Sequence, residues 1–389
     1  YTASYRLYER RWIATLLAVF VTTSAVLFTT FLQVPSATHI FLVFYIGVLY
    51  SFAKLPDKRA SGGIAIFAVL ATLTSPYVLV LAAGILLYLL LLSLEGMQQR
   101  KRELETLGFS FVFIIWYHLL AYRSLLETYG AQALWESIPR ELLVTIFQSL
   151  NLPVFVQLVG IVPLLLGVYG MYEVLFVKRK RSILFVTALA IVCALFLFFG
   201  LLPLEQGLAL TALHFIVLAG YGLERGMHFL NKTTIPKARA FLFVGLALLS
   251  VALFIPFILS VQTPAGITQE QSAFLSSLSL PEDAVVLSDI EEGHAVSYYT
   301  QRKNFYDTAF LLAPNPQQRF DDARQLLLAQ SSARIIEIAD YYRITHIYVS
   351  PKLREAFDEQ RFFFQSDACF TRIARQEEQE VYAVLCSQT

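Results

Sequence analysis

The sequence predicts a polytopic α-helical membrane bundle of about nine spans, followed by a small extracytoplasmic α/β domain. Three observations carry this expectation. Of the 389 residues, 57% are hydrophobic and 15% charged, against about 45–50% and about 25% in soluble domains. Apolar runs bounded by charge, Pro or Gly recur through the first two thirds of the chain. The charge balance also breaks near residue 261: residues 1–261 hold 19 Lys and Arg against 11 Asp and Glu, and residues 262–389 hold 11 against 18. A soluble fold has too little interior to hide so much apolar surface, so lipid must solvate most of it. This composition excludes a cytosolic enzyme, a nucleic-acid binder and a secreted disulfide scaffold.

Nine apolar segments are expected, at 12–33, 39–53, 62–74, 77–94, 107–122, 153–176, 182–202, 207–223 and 240–261. Most have the ~17–25 residues that cross ~30 Å of hydrocarbon. The third stops at Ser75-Pro76 and is short. It either spans beside a cavity that satisfies its freed backbone groups, or forms half of a kinked helix 62–94. Loop charge separates the two. With nine spans, Arg6, Arg10, Arg11, Lys54, Lys58, Arg59, Arg100–Arg102, Lys178–Arg181, Arg225, Lys232, Lys237 and Arg239 share one face, and only Arg123 and Arg140 precede the outer domain on the other. Merging the two segments scatters the same residues over both faces. The positive-inside rule then gives a cytoplasmic N-terminus, a membrane helical domain over 1–261 and an outer domain over 262–389. It also makes the sequon Asn231-Lys232-Thr233 cytoplasmic and unglycosylated.

The outer loop 123–152 is long. After Pro139, Leu142, Leu143, Ile146, Phe147 and Leu150 make one apolar stripe, fit for a helix in the membrane interface or one packed on the bundle. Gly220, Gly222 and Gly226 read as helix-packing or helix-ending glycines rather than a nucleotide loop. His214, inside the eighth span, is a functional candidate because of its place, with a hydrogen bond to a neighbouring helix as its structural role. Cys193 reads as a small core residue.

In the outer domain, Thr268 caps a helix. Ala284–Ser288 reads as a buried strand, 291–301 as a helix and Asn304–Tyr306 as a short strand. Helices at 316–329 and 331–342 precede the buried strand His346–Val349. This alternation implies a partly parallel sheet. A closing hairpin pairs Phe370–Arg375 with Glu380–Leu385. If Arg375 faces Glu380, the same register brings Cys369 opposite Cys386, which either form a disulfide or stay as two thiols.

No phosphate loop, His-Glu-x-x-His, paired Cys-x-x-Cys or Gly-x-Ser-x-Gly occurs. What remains is Ser288-Asp289-Ile290-Glu291-Glu292-Gly293-His294, directly after a strand, where α/β sheets bind ligands. Its carboxylates and histidine suit a divalent cation or an acceptor hydroxyl; alternatively they cap and charge a helix N-terminus. The order strand, Ser, acid-x-Gly, aromatic helix, Arg, Asp resembles the outer domain of the oligosaccharyltransferase catalytic subunit and its GT-C relatives. There the motif reads Ser-Trp-Trp-Asp-Tyr-Gly, and here Ser288, Glu291 and Gly293 fall on its Ser, Asp and Gly. Arg302 and Asp307 resemble the Arg-to-Asp stretch that follows, and Tyr341–Val349 the family's next strand.

The resemblance implies a glycosyltransferase that moves a sugar from a polyprenyl-phosphate-linked donor to an extracytoplasmic acceptor, with Mg or Mn as cofactor and membrane lipid and the lipid-linked sugar as partners. It implies an acceptor or substrate site at Asp289, Glu291, His294, Arg302 and Asp307. Arg123, Glu127 and Tyr129 become candidates for a lipid-phosphate contact or active-site loop. Asp289 and Ile290 replace the two tryptophans that read the acceptor's hydroxyl residue in the family, which implies another acceptor. The family's essential carboxylates sit in the first outer loop, whereas Val34–His39 holds no acid, so the catalytic pair is expected upstream of Tyr1. A non-enzymatic membrane scaffold with a partner-binding outer domain is the competing reading; a transporter has weaker support, since no inverted repeat is found.

Overall fold

The structure, a computed structural model, describes residues 5, 8, 10–32, 37–55, 57–98, 100–121, 123, 152–177, 180–199, 201–202, 204–230, 238–260, 267–307, 315–357 and 361–386. The expected helix after Pro139, the candidates Glu127 and Tyr129, and the sequon at Asn231 lie outside these residues. The described residues form two compact units, one helical and holding those up to Ser260, the other holding those from Ile267 onward.

The helical unit comprises α1 (Arg11–Thr23), α2 (Ala25–Leu32), α3 (Ala37–Ala53), α4 (Lys58–Thr74), α5 (Leu79–Leu94) and α6 (Lys101–Ala121), then α7 (Leu152–Val159), α8 (Ile161–Phe176), α9 (Arg181–Phe198), α10 (Leu204–Leu230) and α11 (Ala238–Ser260). Each expected apolar segment is helical. Four stretches, Pro76–Leu94, Lys101–Ala121, Arg181–Phe198 and Gln206–Met227, are long and apolar enough to cross a membrane. The apolar helices Arg11–Thr23, His39–Ala53, Arg59–Thr74, Ile161–Phe176 and Phe241–Ile255 are shorter.

Two expected segments are broken. Ser24, at ψ 117°, separates α1 from α2, and Gly160, at φ +96°, separates α7 from α8. Only glycine takes that φ without a Cβ penalty. The breaks face each other, since Ser24 Oγ donates to the carbonyl of Leu158 at 3.3 Å.

Helix directions follow from side-chain neighbours. A Cβ on Gly47 would strike the Phe67 ring, and one on Gly63 the Ser51 hydroxyl, so α3 and α4 run antiparallel. Phe41 meets Tyr77 and Phe52 meets Tyr88, a constant offset of 36 residues that makes α5 parallel to α3. The chain therefore reverses at Ser75-Pro76, and the kinked helix 62–94 is ruled out. Ser75 is extended, its Oγ accepts the Tyr77 N–H, and Pro76 opens the 3₁₀ turn Pro76–Val78 that leads into α5. By the same reasoning α9 runs antiparallel to α5, since Tyr88 meets Phe185 while a Cβ on Gly84 would strike Leu189. Helix α10 runs antiparallel to α9, since Thr211 meets Cys193 while a Cβ on Gly207 would strike Leu197. Lys54, Arg59, Arg181 and Arg225 consequently gather at one end of the unit.

Helix α10 is the core of this unit, with every residue from Gly207 to Leu223 buried; a helix apolar on all sides is an interior helix. It crosses α8 at backbone contact. A Cβ on Gly170 would lie 2.2 Å from the Leu218 carbonyl oxygen, and one on Gly222 2.4 Å from that of Leu166. Gly220 is pressed by Tyr8 and Leu17, whereas Gly226 faces open space. The packing role thus holds for Gly220 and Gly222 and not for Gly226. Two ion pairs join helix ends: Arg181 Nη1 with buried Glu103 at 2.9 Å, and Arg225 Nε with Glu173 at 3.4 Å.

The second unit begins with α12 (Gln269–Ser277), closed by a Thr268–Gln271 capping box. There follow β1 (Val285–Leu287), α13 (Gly293–Thr300), β2 (Lys303–Asn304), α14 (Pro316–Leu328), α15 (Ser332–Tyr342), β3 (His346–Val349), α16 (Pro351–Ala356), β4 (Phe370–Gln376) and β5 (Gln379–Val384). The sheet order is β2-β1-β3-β5-β4. Strand β1 is parallel to β2 and β3; β5 is antiparallel to β3 and β4. Phe274, Leu275, Val286, Val296, Tyr348 and Val381 anchor its core.

Arg375 does pair with Glu380, but the register slips between Arg372 and Ala374, and beyond the slip Phe370 pairs with Val384. Cys369 therefore does not stand directly opposite Cys386, as an unbroken ladder would have it. The two still form a disulfide, with Cα atoms 5.1 Å apart. Cys193 is the buried free cysteine.

Gly170→Ala is expected to destabilise the helical unit by about 1–3 kcal/mol by overpacking, while Gly226→Ala is neutral or slightly stabilising; thermal unfolding in detergent compares them. Replacing Cys369 and Cys386 by Ser, which opens a link across 17 residues, should cost the second unit about 3 kcal/mol. Faster limited proteolysis of the hairpin is the readout.

Candidate functional site

Strands β1 and β3 are parallel neighbours, with Leu287 opposite Ile347, so their C-terminal ends open on the same edge of the sheet. Parallel strands present ligand sites there. The edge receives Ser288-Asp289 from β1 and Ser350-Pro351-Lys352 from β3.

The chain leaves β1 through a local turn. Asp289 Oδ1 accepts the Glu291 N–H at 2.9 Å, the Asx geometry that short polar side chains favour. Ser288 is fully buried and donates to the Asp289 carbonyl at 3.1 Å. Gly293 then opens α13 against the backbone, since a Cβ there would lie 2.2 Å from the Tyr306 carbonyl oxygen. The expectation that these acids cap a helix is met in position only. Glu292 is the N-cap residue, yet its side chain makes no capping bond.

Glu292 is instead the hub of the edge. It is 6% exposed. Gln271 Nε2 donates to one of its oxygens at 3.2 Å and the Ser350 hydroxyl to the other, while Ser350 also caps α16 by accepting the Leu353 N–H at 3.0 Å. One carboxylate thus ties α12, the β1–α13 turn and the β3–α16 turn together. Burial pushes its pKa above the ordinary value, and the Ser350 bond only partly opposes this. Asp289, also 6% exposed, is pushed up by burial in the same way. Burial and the charge of Asp289 raise the phenol of Tyr306 as well.

Glu291 points outward, its side chain 62% exposed, and pairs with Lys352. Partial burial disfavours the Lys352 cation, but the bond to Glu291 and the charges of Asp289 and Glu292 outweigh it and hold its pKa up. His294 and Asp307 approach to 3.3 Å, and Asn304 Nδ2 donates to the same Asp307 oxygen at 2.8 Å. Arg302 is spent on backbone, with Nε donating to Leu280 and Nη1 to Gln301. Arg123 is exposed just beyond α6.

The structure therefore gathers Asp289 and Glu291 with Glu292, Ser350 and Lys352, and forms a separate His294–Asp307–Asn304 group. Lys352 and Ser350 were not expected from sequence. The available signal was the polar residue ending each of two parallel apolar strands. Among the described residues, no three His, Cys, Asp or Glu side chains converge as a metal site. Asp289, Glu291 and Glu292 each serve a different partner, so this cluster does not fit a divalent cation. In the helical unit, Tyr45 and His214 share a hydrogen bond of 2.7 Å between α3 and α10, the interhelical role expected for an intramembrane histidine.

No family model matches this sequence, and no curated protein does. Among solved structures, the archaeal oligosaccharyltransferase AglB from Archaeoglobus fulgidus, in complex with an inhibitory peptide and a dolichol-phosphate, is similar at a TM-score of 0.53 and 12% identity, over 86% of this chain and 57% of that one. The Archaeoglobus fulgidus oligosaccharyltransferase in its apo form is similar at a TM-score of 0.53 and 12% identity, over 87% and 57%. This chain thus spans less than two thirds of the length of these structures. The likeness shows an oligosaccharyltransferase-like fold.

Between its ordinary value near 4.5 and its raised value in the fold, Glu292 holds a proton in the folded state that the unfolded state has lost. Its contribution to stability is therefore complete below that window and is lost as pH rises through it. Glu292→Gln should flatten the pH dependence of second-unit melting above pH 4.5, and an unchanged slope would remove Glu292 from this role.

Proposed function

We propose that this chain belongs to a GT-C-like integral membrane glycosyltransferase, or is a portion of one, that transfers a sugar from a polyprenyl-phosphate-linked donor to an extracytoplasmic acceptor. The observation that carries this reading is the fold likeness over 86% of the chain, joined to a Ser288–Gly293 turn at the site edge of the sheet. The dolichol-phosphate and peptide held by that neighbour supply the analogy for a lipid-linked donor and a separate acceptor.

In this reading the protein is multi-pass, with nine spans and its basic helix ends in the cytoplasm of a cell envelope. The clustering of Lys54, Arg59, Arg181 and Arg225 at one end of the helical unit supports that orientation, because cytoplasmic loops collect positive charge. The second unit is then extracytoplasmic, where a disulfide persists.

The reaction forms a bond from the acceptor's nucleophilic atom to the anomeric carbon and breaks that carbon's bond to the phosphate oxygen. The acceptor proton passes to a base, and positive groups hold the departing phosphate. Asp289 and Lys352, side by side at the strand ends, can accept from and donate to an acceptor. Arg123 supplies charge near the donor phosphate. A divalent cation, Mg or Mn, goes with the reading, but its ligands are not assigned to Asp289, Glu291 or Glu292. The catalytic base is likewise assigned to no residue of this chain.

The ion pair of Glu291 with Lys352 favours a second reading, in which the outer unit is a partner-binding module of a membrane scaffold. Deleting the gene decides between them: loss of surface glycans supports the transferase, and unchanged glycans support the scaffold. In membranes supplied with a polyprenyl-linked glycan, Glu291→Gln and Arg123→Ala are each expected to abolish transfer. Wild-type rates in both variants would overturn the site assignment and leave the fold untouched.

A further inference from the structure

The outer unit carries an excess of acid, yet one face of its terminal hairpin concentrates arginine. Glu380 on β5 is buried, and three guanidiniums converge on it. Arg354 Nη2 donates to Oε2 at 3.0 Å, Arg372 Nη1 to Oε1 at 3.0 Å, and Arg375 Nε lies 3.5 Å from Oε1. Gln365 and the Tyr382 hydroxyl each donate to Oε2 at 2.9 Å. Burial alone would raise the pKa of Glu380, but these donors and cations outweigh it and hold it below its ordinary value.

One carboxylate with four hydrogen-bond donors and a third guanidinium beside it is saturated, whereas the arginines are not. Arg372 and Arg375 have side chains 46% and 58% exposed. Among the described residues, Arg372 bonds only to Glu380, and Arg375 adds only the Glu377 carbonyl through the same Nε. Among the described residues, neither Nη group of Arg375 nor the Nη2 of Arg372 bonds to the protein. No carboxylate of the Glu377-Glu378 turn pairs with them. Three guanidiniums converge on one buried anion, which fixes them in place. The slip after Arg372 belongs to this arrangement: a bulge re-aims side chains at a sheet edge, and here it lets Arg372 and Arg375 address the same carboxylate.

We infer that Arg372 and Arg375, organised by Glu380 and backed by Arg354, form a binding site for a phosphate-type oxyanion. Planar guanidinium forks match phosphate oxygens in bidentate geometry, and the resident carboxylate takes up the inner edge of each fork while the outer edge faces solvent. The ligand chemistry is a phosphate or diphosphate group, either free or as the head of a lipid. The site is independent of the transferase reading, since binding is measured without turnover.

The test uses the full chain in neutral-lipid nanodiscs, titrated with inorganic diphosphate or with dioctanoyl phosphatidic acid, against sodium chloride of equal ionic strength to remove simple screening. Thermal stabilisation and isothermal titration are read together. Saturable binding of diphosphate alone or of both probes identifies a phosphate site. Binding of the lipid phosphate alone, at least tenfold tighter than diphosphate, identifies the lipid head as its source. Arg375→Gln should weaken binding about tenfold, as the loss of a charge-assisted bond predicts, and Arg372→Gln/Arg375→Gln should abolish it, while Arg334→Gln on α15 changes nothing. Because Arg375 is exposed, its single variant keeps the fold should the double variant fail to fold. No saturable binding of either probe by the wild type, or undiminished binding by Arg375→Gln, overturns the proposal.

Discussion

A peptide group inside hydrocarbon must find its hydrogen bond within the protein, and the helical unit meets that demand even where its helices stop. At Ser75 the N–H reaches back to the Ala71 carbonyl while the hydroxyl receives the next free N–H, from Tyr77. At Gly160 the N–H bonds to Val156 and the carbonyl accepts from Leu164. At Ser24 the hydroxyl satisfies Leu158 across the interface. Such local repairs allow the chain to reverse within one extended residue. The reversal at Ser75 in turn sets the direction of α5 and the antiparallel helices built on it, and so decides where the basic helix ends collect.

The second unit solves the opposite problem, keeping charge inside a small core. Glu292 and Glu380 are both buried carboxylates, yet their environments push them apart. Glu292 receives neutral donors, Gln271 and Ser350, so desolvation dominates and its proton is held more tightly. Glu380 receives arginines as well as Tyr382 and Gln365, so its anion is favoured despite burial. Removing a partner from either leaves an uncompensated buried group, which is far costlier than never having buried it. The short α16 stands between the two, sending Lys352 toward Glu291 and Arg354 toward Glu380. Six residues thereby link the β1–β3 edge to the hairpin.

The likeness to oligosaccharyltransferase structures is a likeness of architecture, and at 12% identity it transfers no residue role. The local structure supplies what the likeness cannot. Gly293 is required by its approach to Tyr306, whatever ligand the turn serves. Glu291 is held by Lys352, while its neighbour Glu292 does the structural work. Ser288, Glu291 and Gly293 thus sit in three different physical settings: a buried hydroxyl, an exposed ion pair and a close backbone approach.

Much of this was legible in the sequence because it depends on local or periodic signals. Among the described residues hydropathy located the apolar helices, Thr268 announced its cap, the buried run His346–Val349 announced its strand, and Arg375 opposite Glu380 fixed the end of the hairpin ladder near its turn. Charge counting favoured a reversal at Ser75-Pro76, and ring contacts of Phe41 and Phe52 established it. Other features needed the tertiary structure. The slip after Arg372, the breaks at Ser24 and Gly160, the partnership of Glu292 with Gln271 and Ser350, and the meeting of Lys352 with Glu291 join residues distant in the chain or depend on a backbone angle that composition does not encode. Periodicity tells which face of an element is apolar; only packing decides which polar groups are carried inward with it, and what they must find there.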